Sequence, residues 1–370
     1  MGDRKCFVAK NVDTFFIMLG MECNLNCKYC LQHDLVEHPI QHDINPDIYD
    51  FIEGCVKATE NTIRIQFFGG EPLLFFGSIK EIVTELNRRE LNVGYSVITN
   101  GKAITQEMVD FFIDNDFTVG ISWDGFNVIN SRGFDVFKEG SRQRNLILQL
   151  PDLWITSVLS ASAYPKELLD AQQKMDDEYM KRHGYHAKFN VDDLMTFGEL
   201  PKEVSDIDLE RVESEVRDMA KEFIHDLKTQ ADISDHYTRN VYISSKYFLL
   251  RGFYKKELEN EEDRYTGEKC CCGNGYYTLN LDLNGNLQVC HNKSTPIGTI
   301  YDNYDEYISK IKSNDTTHDR VDMCRECPAV FSCRGGCKLI EDKYRDTYCS
   351  LKRATNVPVL EEVLKINQME

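Results

Sequence analysis

Thr14-Phe15-Phe16-Ile17-Met18-Leu19-Gly20-Met21-Glu22-Cys23-Asn24-Leu25-Asn26-Cys27-Lys28-Tyr29-Cys30 sets an apolar run directly before three cysteines spaced Cys-x3-Cys-x2-Cys. The run Phe15–Leu19 reads as a buried strand bounded by glycine. The three thiols therefore converge at its carboxyl end. Three is the informative number, because a [4Fe–4S] cluster normally takes four cysteines. A tight trio with no nearby fourth leaves one iron open to another ligand. The competing readings are a zinc site and three plain core cysteines, but zinc pairs are usually spaced Cys-x2-Cys.

Outward from this stretch, apolar or β-branched runs recur at Ile63–Phe68, Tyr95–Ile98, Phe117–Ser122, Leu153–Leu159 and His186–Val191, each followed by helical spacing. Six consecutive β/α units with continuous apolar strands predict a parallel sheet covered by helices. Periodicity leaves two architectures open, a doubly wound sheet and a partial barrel. The first helix begins at Asn45-Pro46-Asp47, a side-chain cap followed by proline at the first helical position.

In both architectures ligands bind outside the carboxyl ends of the strands. The suspicious residues fall there: the cysteine trio after the first strand, Gly69-Gly70-Glu71-Pro72 after the second, Thr99-Asn100-Gly101 at the third, and Ser122-Trp123-Asp124-Gly125 at the fourth. Each short motif alone is an ordinary turn former. Four in register predict one pocket. Glycines at 69 and 70 allow close backbone approach, Glu71 offers a carboxylate, and Asn100 and Ser122 supply uncharged donors and acceptors.

The chain has 370 residues, 42% of them hydrophobic, enough for a sizeable core in two domains or in one barrel with an appendage. A net charge of −18 argues against nucleic acid or an anionic membrane as partner and suits a basic peptide better. No apolar run reaches the roughly 18 residues that span a bilayer, and Met1–Lys10 lacks signal-peptide architecture, so a cytoplasmic location is expected. Fourteen cysteines in such a chain point to metal or cluster ligation rather than disulfides.

Beyond about residue 200 the composition turns to acidic helix, with Leu209, Val212, Val216, Met219, Phe223 and Leu227 forming one apolar stripe expected to pack on the barrel. A second helix is expected over Ser244–Glu257. Cys270-Cys271-Cys272 is followed by two short runs, Leu279–Leu283 and Leu287–Val289, around Asn284-Gly285, which reads as a tight hairpin ending at Cys290. Asp282, Asn284 and Asn286 faintly resemble a calcium loop, but the terminal glutamate is absent. Then come Cys324-x2-Cys327-x5-Cys333-x3-Cys337 and Cys349. Cys6 and Cys55 stand outside these arrays and read as plain buried thiols.

The Glu22–Cys30 stretch, with aromatic Tyr29 before the third cysteine, resembles the radical S-adenosylmethionine (radical SAM) superfamily. The later array is similar to the SPASM extension of radical SAM peptide maturases and anaerobic sulfatase-maturating enzymes. This resemblance implies an α/β fold, a partial (β/α)6 TIM barrel with a cysteine-rich C-terminal SPASM extension. The expected parts are 1–200 for the barrel, 201–265 for a helical bridge and 266–370 for the extension.

It also implies three [4Fe–4S] clusters and SAM as cofactors. Cys23, Cys27 and Cys30 would hold the SAM-binding cluster. Cys272, Cys290 and Cys337, with Cys270 or Cys271, would hold one auxiliary cluster, and Cys324, Cys327, Cys333 and Cys349 the other. Tyr29, Gly69, Gly70, Glu71, Asn100 and Ser122 would contact SAM. An arginine would bind its carboxylate, Arg144 ahead of Arg132 and Arg142.

The implied activity is oxidative modification of a peptide or protein, such as a thioether or other crosslink, through a 5′-deoxyadenosyl radical. A flavodoxin or ferredoxin would act as reductant, and a separate leader-recognition protein is a further expected partner. Sulfatase maturation is the alternative, although His291 stands where those maturases carry an aspartate base. His291 and Asp124 are the candidate bases. An iron–sulfur electron carrier is the alternative of another class, but it leaves Glu71, Asn100 and Ser122 unexplained.

Overall fold

The computed structural model describes residues 6–32, 43–193, 200–229, 242–244, 246–247, 275–293, 295–315 and 321–367. Its sheet has nine strands: β1 (Thr14–Met18), β2 (Ile63–Phe68), β3 (Val93–Thr99), β4 (Thr118–Ser122), β5 (Leu153–Leu159), β6 (Lys188–Asp193), β7 (Thr278–Asp282), β8 (Asn286–Gln288) and β9 (Pro296–Thr299). The spatial order is β6-β5-β4-β3-β2-β1-β7-β8-β9, with β1 to β6 all parallel to their neighbours. A doubly wound sheet reverses its strand order at a switch point. Here the order from β1 to β6 runs one way without reversal, and among the described residues β6 and β9 are the two edges. That resolves the two open architectures in favour of a partial barrel.

Alternation along the strands sorts side chains between the helices and the barrel interior. Phe15 and Ile17 of β1, and Ile63, Ile65 and Phe67 of β2, are fully buried in the main core. The helices over them are amphipathic. Phe51, Ile52 and Cys55 come from α1 (Asp47–Lys57), and Ile79, Ile82, Val83 and Leu86 from α2 (Phe76–Arg88). Spacings of three and four residues put the latter set on one face. Each such side chain, fully buried, contributes about 1.5–3 kcal/mol. The cap of α1 differs slightly from expectation: Asn45 Oδ1 accepts from Asp47 N at 3.1 Å, reaching across Pro46.

The C-terminal region is not a separate lobe. Its hairpin strand β7 pairs in parallel with β1, Thr14 opposite Thr278 and Met18 opposite Asp282, so it extends the barrel sheet. β8 and β9 continue it antiparallel. The residues read as a faint calcium loop build the turn instead: Asp282 accepts from Asn284 N and Asn286 N, both at 2.9 Å, and from Asn286 Nδ2 at 2.8 Å. Those lone pairs are spent on the backbone, in the manner of Asx turns.

The acidic helix, Leu209–Thr229, buries the expected stripe of Val212, Val216, Met219 and Phe223. It lies against the barrel, as expected, and also against the C-terminal helix Asp342–Asn367. Leu351, Ala354, Val359, Leu360 and Val363 join it in a second core with Leu159, Leu168 and Val191 of the barrel. The helix expected over Ser244–Glu257 lies almost wholly outside the described residues, as do Cys270, Cys271 and Cys272. Among the described residues no helix is long and apolar enough to cross a membrane.

Candidate cluster and cofactor site

The loop after β1 carries Cys23, exposed, and Cys27 and Cys30, both half-buried. The Cys30 amide donates to Cys27 O at 3.1 Å, closing the second turn. Burial pushes the Cys27 thiol up to about 11, the buried Arg132 guanidinium pulls against this, and the Cys30 and Cys23 thiols add to the rise. The three thiols are thus within electrostatic reach of one another after the strand end, and thiols are soft donors suited to iron–sulfur or zinc ligation. Among the described residues no three His, Cys, Asp or Glu side chains are grouped closely enough to hold a metal ion.

Neighbouring strand ends grip this loop. Gly70 N donates to Gly20 O and Glu71 N to Glu22 O, each at 2.9 Å, so the segment after β2 runs as a short rung beside Gly20–Glu22. A β-carbon on Gly70 would stand 2.3 Å from Met21 O and 2.4 Å from Glu22 O, and one on Gly69, whose φ is +150°, would stand 2.3 Å from Gly20 O. These glycines are therefore required by close approach of the cysteine loop's own backbone.

Glu71 is 1% exposed. Its carboxylate accepts from Thr99 Oγ1 at 2.5 Å, Asn100 N at 2.8 Å and Leu73 N at 3.0 Å. Burial lifts this carboxyl above its ordinary range, while the three donors pull it back. The expected role towards a ligand ammonium thus meets a carboxylate already committed to joining β2 to β3.

Asn100 continues the chain of contacts. Its Nδ2 donates to Asn24 Oδ1 at 2.9 Å and lies 3.8 Å from Cys23 Sγ, while its Oδ1 accepts from Lys102 N at 2.9 Å. Ser122, half-buried at the end of β4, sits opposite Thr156 of β5. Tyr29 is buried and donates its hydroxyl to Asp124.

Asp124, a candidate base, is enclosed by donors. It is 1% exposed and also accepts from Ser131 Oγ at 2.6 Å, Arg132 Nε at 2.9 Å and Nη2 at 3.0 Å, and Val158 N at 3.0 Å. A carboxylate with its lone pairs filled by donors and a buried guanidinium beside it is built to hold its neighbours. Arg144 is placed elsewhere than expected: it pairs with Glu178 and donates Nη1 to Phe137 O at 2.8 Å. Arg132, another of the three candidates, is brought to the cysteine loop, over the Tyr29 ring.

His291 reaches the site from a distant part of the sequence because β7 pairs with β1. Its ring stacks on Phe16 with centroids 4.3 Å apart and meets Phe68 edge-on at 4.8 Å. Phe16 and Phe68 alternate with the helix-facing Phe15 and Phe67, so all three rings lie on the inner wall of the barrel. Neither phenylalanine was singled out from the sequence. The alternation in β1 and β2 was the signal that could have found them.

The remaining cysteines fall as follows. Burial pushes the Cys333 thiol up to about 12; Lys352 opposes this, and the Cys349, Cys324 and Cys327 thiols reinforce it. Of these four, Cys324 lies on the short helical turn Val321–Arg325, Cys333 ends the turn Val330–Cys333, and Cys349 lies on the C-terminal helix. Cys290 and Cys337 are buried in the main core, their sulfurs near Asn292 N at 3.5 Å and Leu339 N at 3.4 Å. Cys6 is half-buried, and Cys55 is buried and accepts from Ala9 N at 3.5 Å, as plain thiols do.

Residues 17–138 match the sequence profile of the radical SAM superfamily. A cysteine-type anaerobic sulfatase-maturating enzyme of Clostridium novyi (strain NT) is 34% identical over 128 residues, which is 32% of this chain and 34% of that enzyme's own length. The radical SAM cyclopropyl synthase TigE of Paramaledivibacter caminithermalis is 25% identical over 91% of this chain and 70% of its own length. In fold, the chain is similar to native anSMEcpe with bound AdoMet and Kp18Cys peptide, with TM-score 0.68 and 17% identity, covering 96% of this chain and 99% of that one. The radical SAM match thus covers residues 17–138, and beyond them the likeness to solved structures is one of fold.

Proposed function

We propose that this chain oxidatively modifies a peptide, forming a new bond within it at the cost of two hydrogen atoms. The observation that carries the proposal is the loop of Cys23, Cys27 and Cys30, held at one barrel rim by the ends of β2, β3 and β4 within the matched domain. Those cysteines would hold the SAM-binding [4Fe–4S] cluster. Cys324, Cys327, Cys333 and Cys349 are a donor set that fits a second cluster, and Cys272, Cys290 and Cys337, with Cys270 or Cys271, would serve a third. When bound, these groups supply a carbon radical that takes hydrogen from a substrate C–H bond, and a sink for the electron then released.

The protein's own work is placement. Glu71, Asn100 and Asp124 hold the cysteine loop to the strand ends, and Phe16 and Phe68 present an apolar inner wall that keeps water from a radical. His291, stacked on that wall, is the group we assign to accept the proton that leaves the substrate. Alignment with a cyclopropyl synthase over 91% of the chain supports bond formation between carbons. Sulfatase maturation has its own support in the higher identity of the shorter match.

Anaerobic coexpression with the short peptides encoded beside this chain, followed by mass spectrometry, tests the proposal. The expected product is a peptide lighter by two hydrogens with no hydrazide-reactive aldehyde. An aldehyde formed from cysteine or serine in a sulfatase-derived peptide, with every short peptide unchanged, would transfer the chain to the maturase reading.

A further inference from the structure

Asp124, Arg132 and Tyr29 form a buried knot directly beneath the cysteine loop, and it does more than fill space. Tyr29 lies between Cys27 and Cys30, and its hydroxyl donates to Asp124. Lys28 N donates to Ser131 O at 2.9 Å, and Ser131 Oγ donates to Asp124 at 2.6 Å, so the turn is held through both its backbone and its side chain. Arg132 binds both oxygens of Asp124, at 2.9 and 3.0 Å, and its guanidinium lies 5.3 Å from the centroid of the Tyr29 ring. Asp124 and Arg132 are 1% and 8% exposed. Two opposite charges, removed from solvent, thus sit against the turn whose sulfurs would carry the cluster.

We propose that the Asp124–Arg132 pair positions this turn and balances the charge that sets how readily its cluster accepts an electron. The inference rests on the radical SAM reading of the cysteine loop. Adding an electron adds negative charge, so an uncompensated guanidinium nearby favours the reduced cluster and an uncompensated carboxylate opposes it. In a site shielded from water neither charge is screened by salt. As an ion pair the two cancel, and each variant of one partner exposes the charge of the other. Asp124 and Arg132 are thus positioning residues, acting through Tyr29 and through their field.

The test is a potentiometric titration, followed by electron paramagnetic resonance, of the anaerobically reconstituted full chain. It reads the cluster signal that changes when SAM is added. Asp124→Asn is expected to raise the ratio of reduced to oxidised cluster at fixed potential by about tenfold, a shift of about 59 mV for one electron. Arg132→Gln is expected to lower it by a similar factor, and the double variant is expected to return close to wild type. A unit charge at roughly 10 Å in an effective dielectric of about 20 has an effect of this size.

A purely structural role would move both single variants the same way, and that result, or no shift in either, overturns the proposal. Where a single variant takes up too little iron to titrate, Arg132→Lys and Asp124→Glu keep the charges and must restore wild-type iron content and potential. Their failure to do so also overturns it. A wild-type protein with no SAM-responsive signal would overturn the radical SAM reading itself, and this inference with it.

Discussion

Gly70→Ala is expected to cost at least about 3 kcal/mol of folding stability and to abolish iron uptake by the cysteine loop. The added methyl would stand 2.3 Å from Met21 O and 2.4 Å from Glu22 O, both backbone atoms that no rotamer change can move. Relief requires parting the rung in which Gly70 N meets Gly20 O and Glu71 N meets Glu22 O. That rung fixes where Cys23 begins its turn. Gly77→Ala is the matching control, because a β-carbon there meets nothing within 4 Å and the site lies near the start of α2. It should be neutral or stabilising by up to about 1 kcal/mol. Denaturant unfolding with iron analysis of both variants checks the pair, and equal losses would show that crowding at Gly70 is not the cause.

Glu71→Leu should destabilise by about 2–6 kcal/mol, the cost of leaving two buried backbone donors unsatisfied at about 1–3 kcal/mol each. Those donors are Leu73 N and Asn100 N; the Thr99 hydroxyl can rotate to another acceptor. Glu71→Gln keeps one carbonyl oxygen and should lose about half as much. Chemical denaturation distinguishes the two substitutions. If Glu71→Leu unfolds no more easily than wild type while SAM binding fails, the carboxylate serves the ligand and not the strand ends.

Much of the architecture was legible because the first five strands are rich in apolar and β-branched residues and are closed by turn residues. His186–Val191 was displaced by only two residues from the observed β6, since strand ends carry weak signals. Choosing between a doubly wound sheet and a barrel needed the strand order, which lies in pairing between distant segments. The same limit hid the β1–β7 pairing: three or four apolar residues declare a hairpin strand but not the partner of its outer edge.

At the site, residue type was more legible than residue role. Gly70 was chosen for ligand approach, whereas the backbone it must admit is that of Met21 and Glu22. Asp124 looked free to act as a base because its donors, Arg132, Ser131 and Val158, belong to other turns and strands. Arg144 was preferred over Arg132 by position in the chain, and Glu178, 34 residues away, claims it.

The central claim is that the Cys23, Cys27 and Cys30 loop performs radical SAM chemistry. It is tested most directly by incubating the reduced, iron-reconstituted protein with SAM and measuring 5′-deoxyadenosine beside Cys30→Ala, a variant that retains the other cysteine sets. Formation of 5′-deoxyadenosine by the wild type and its loss in Cys30→Ala are the predicted results. No 5′-deoxyadenosine from either protein, or equal amounts from both, would contradict the account.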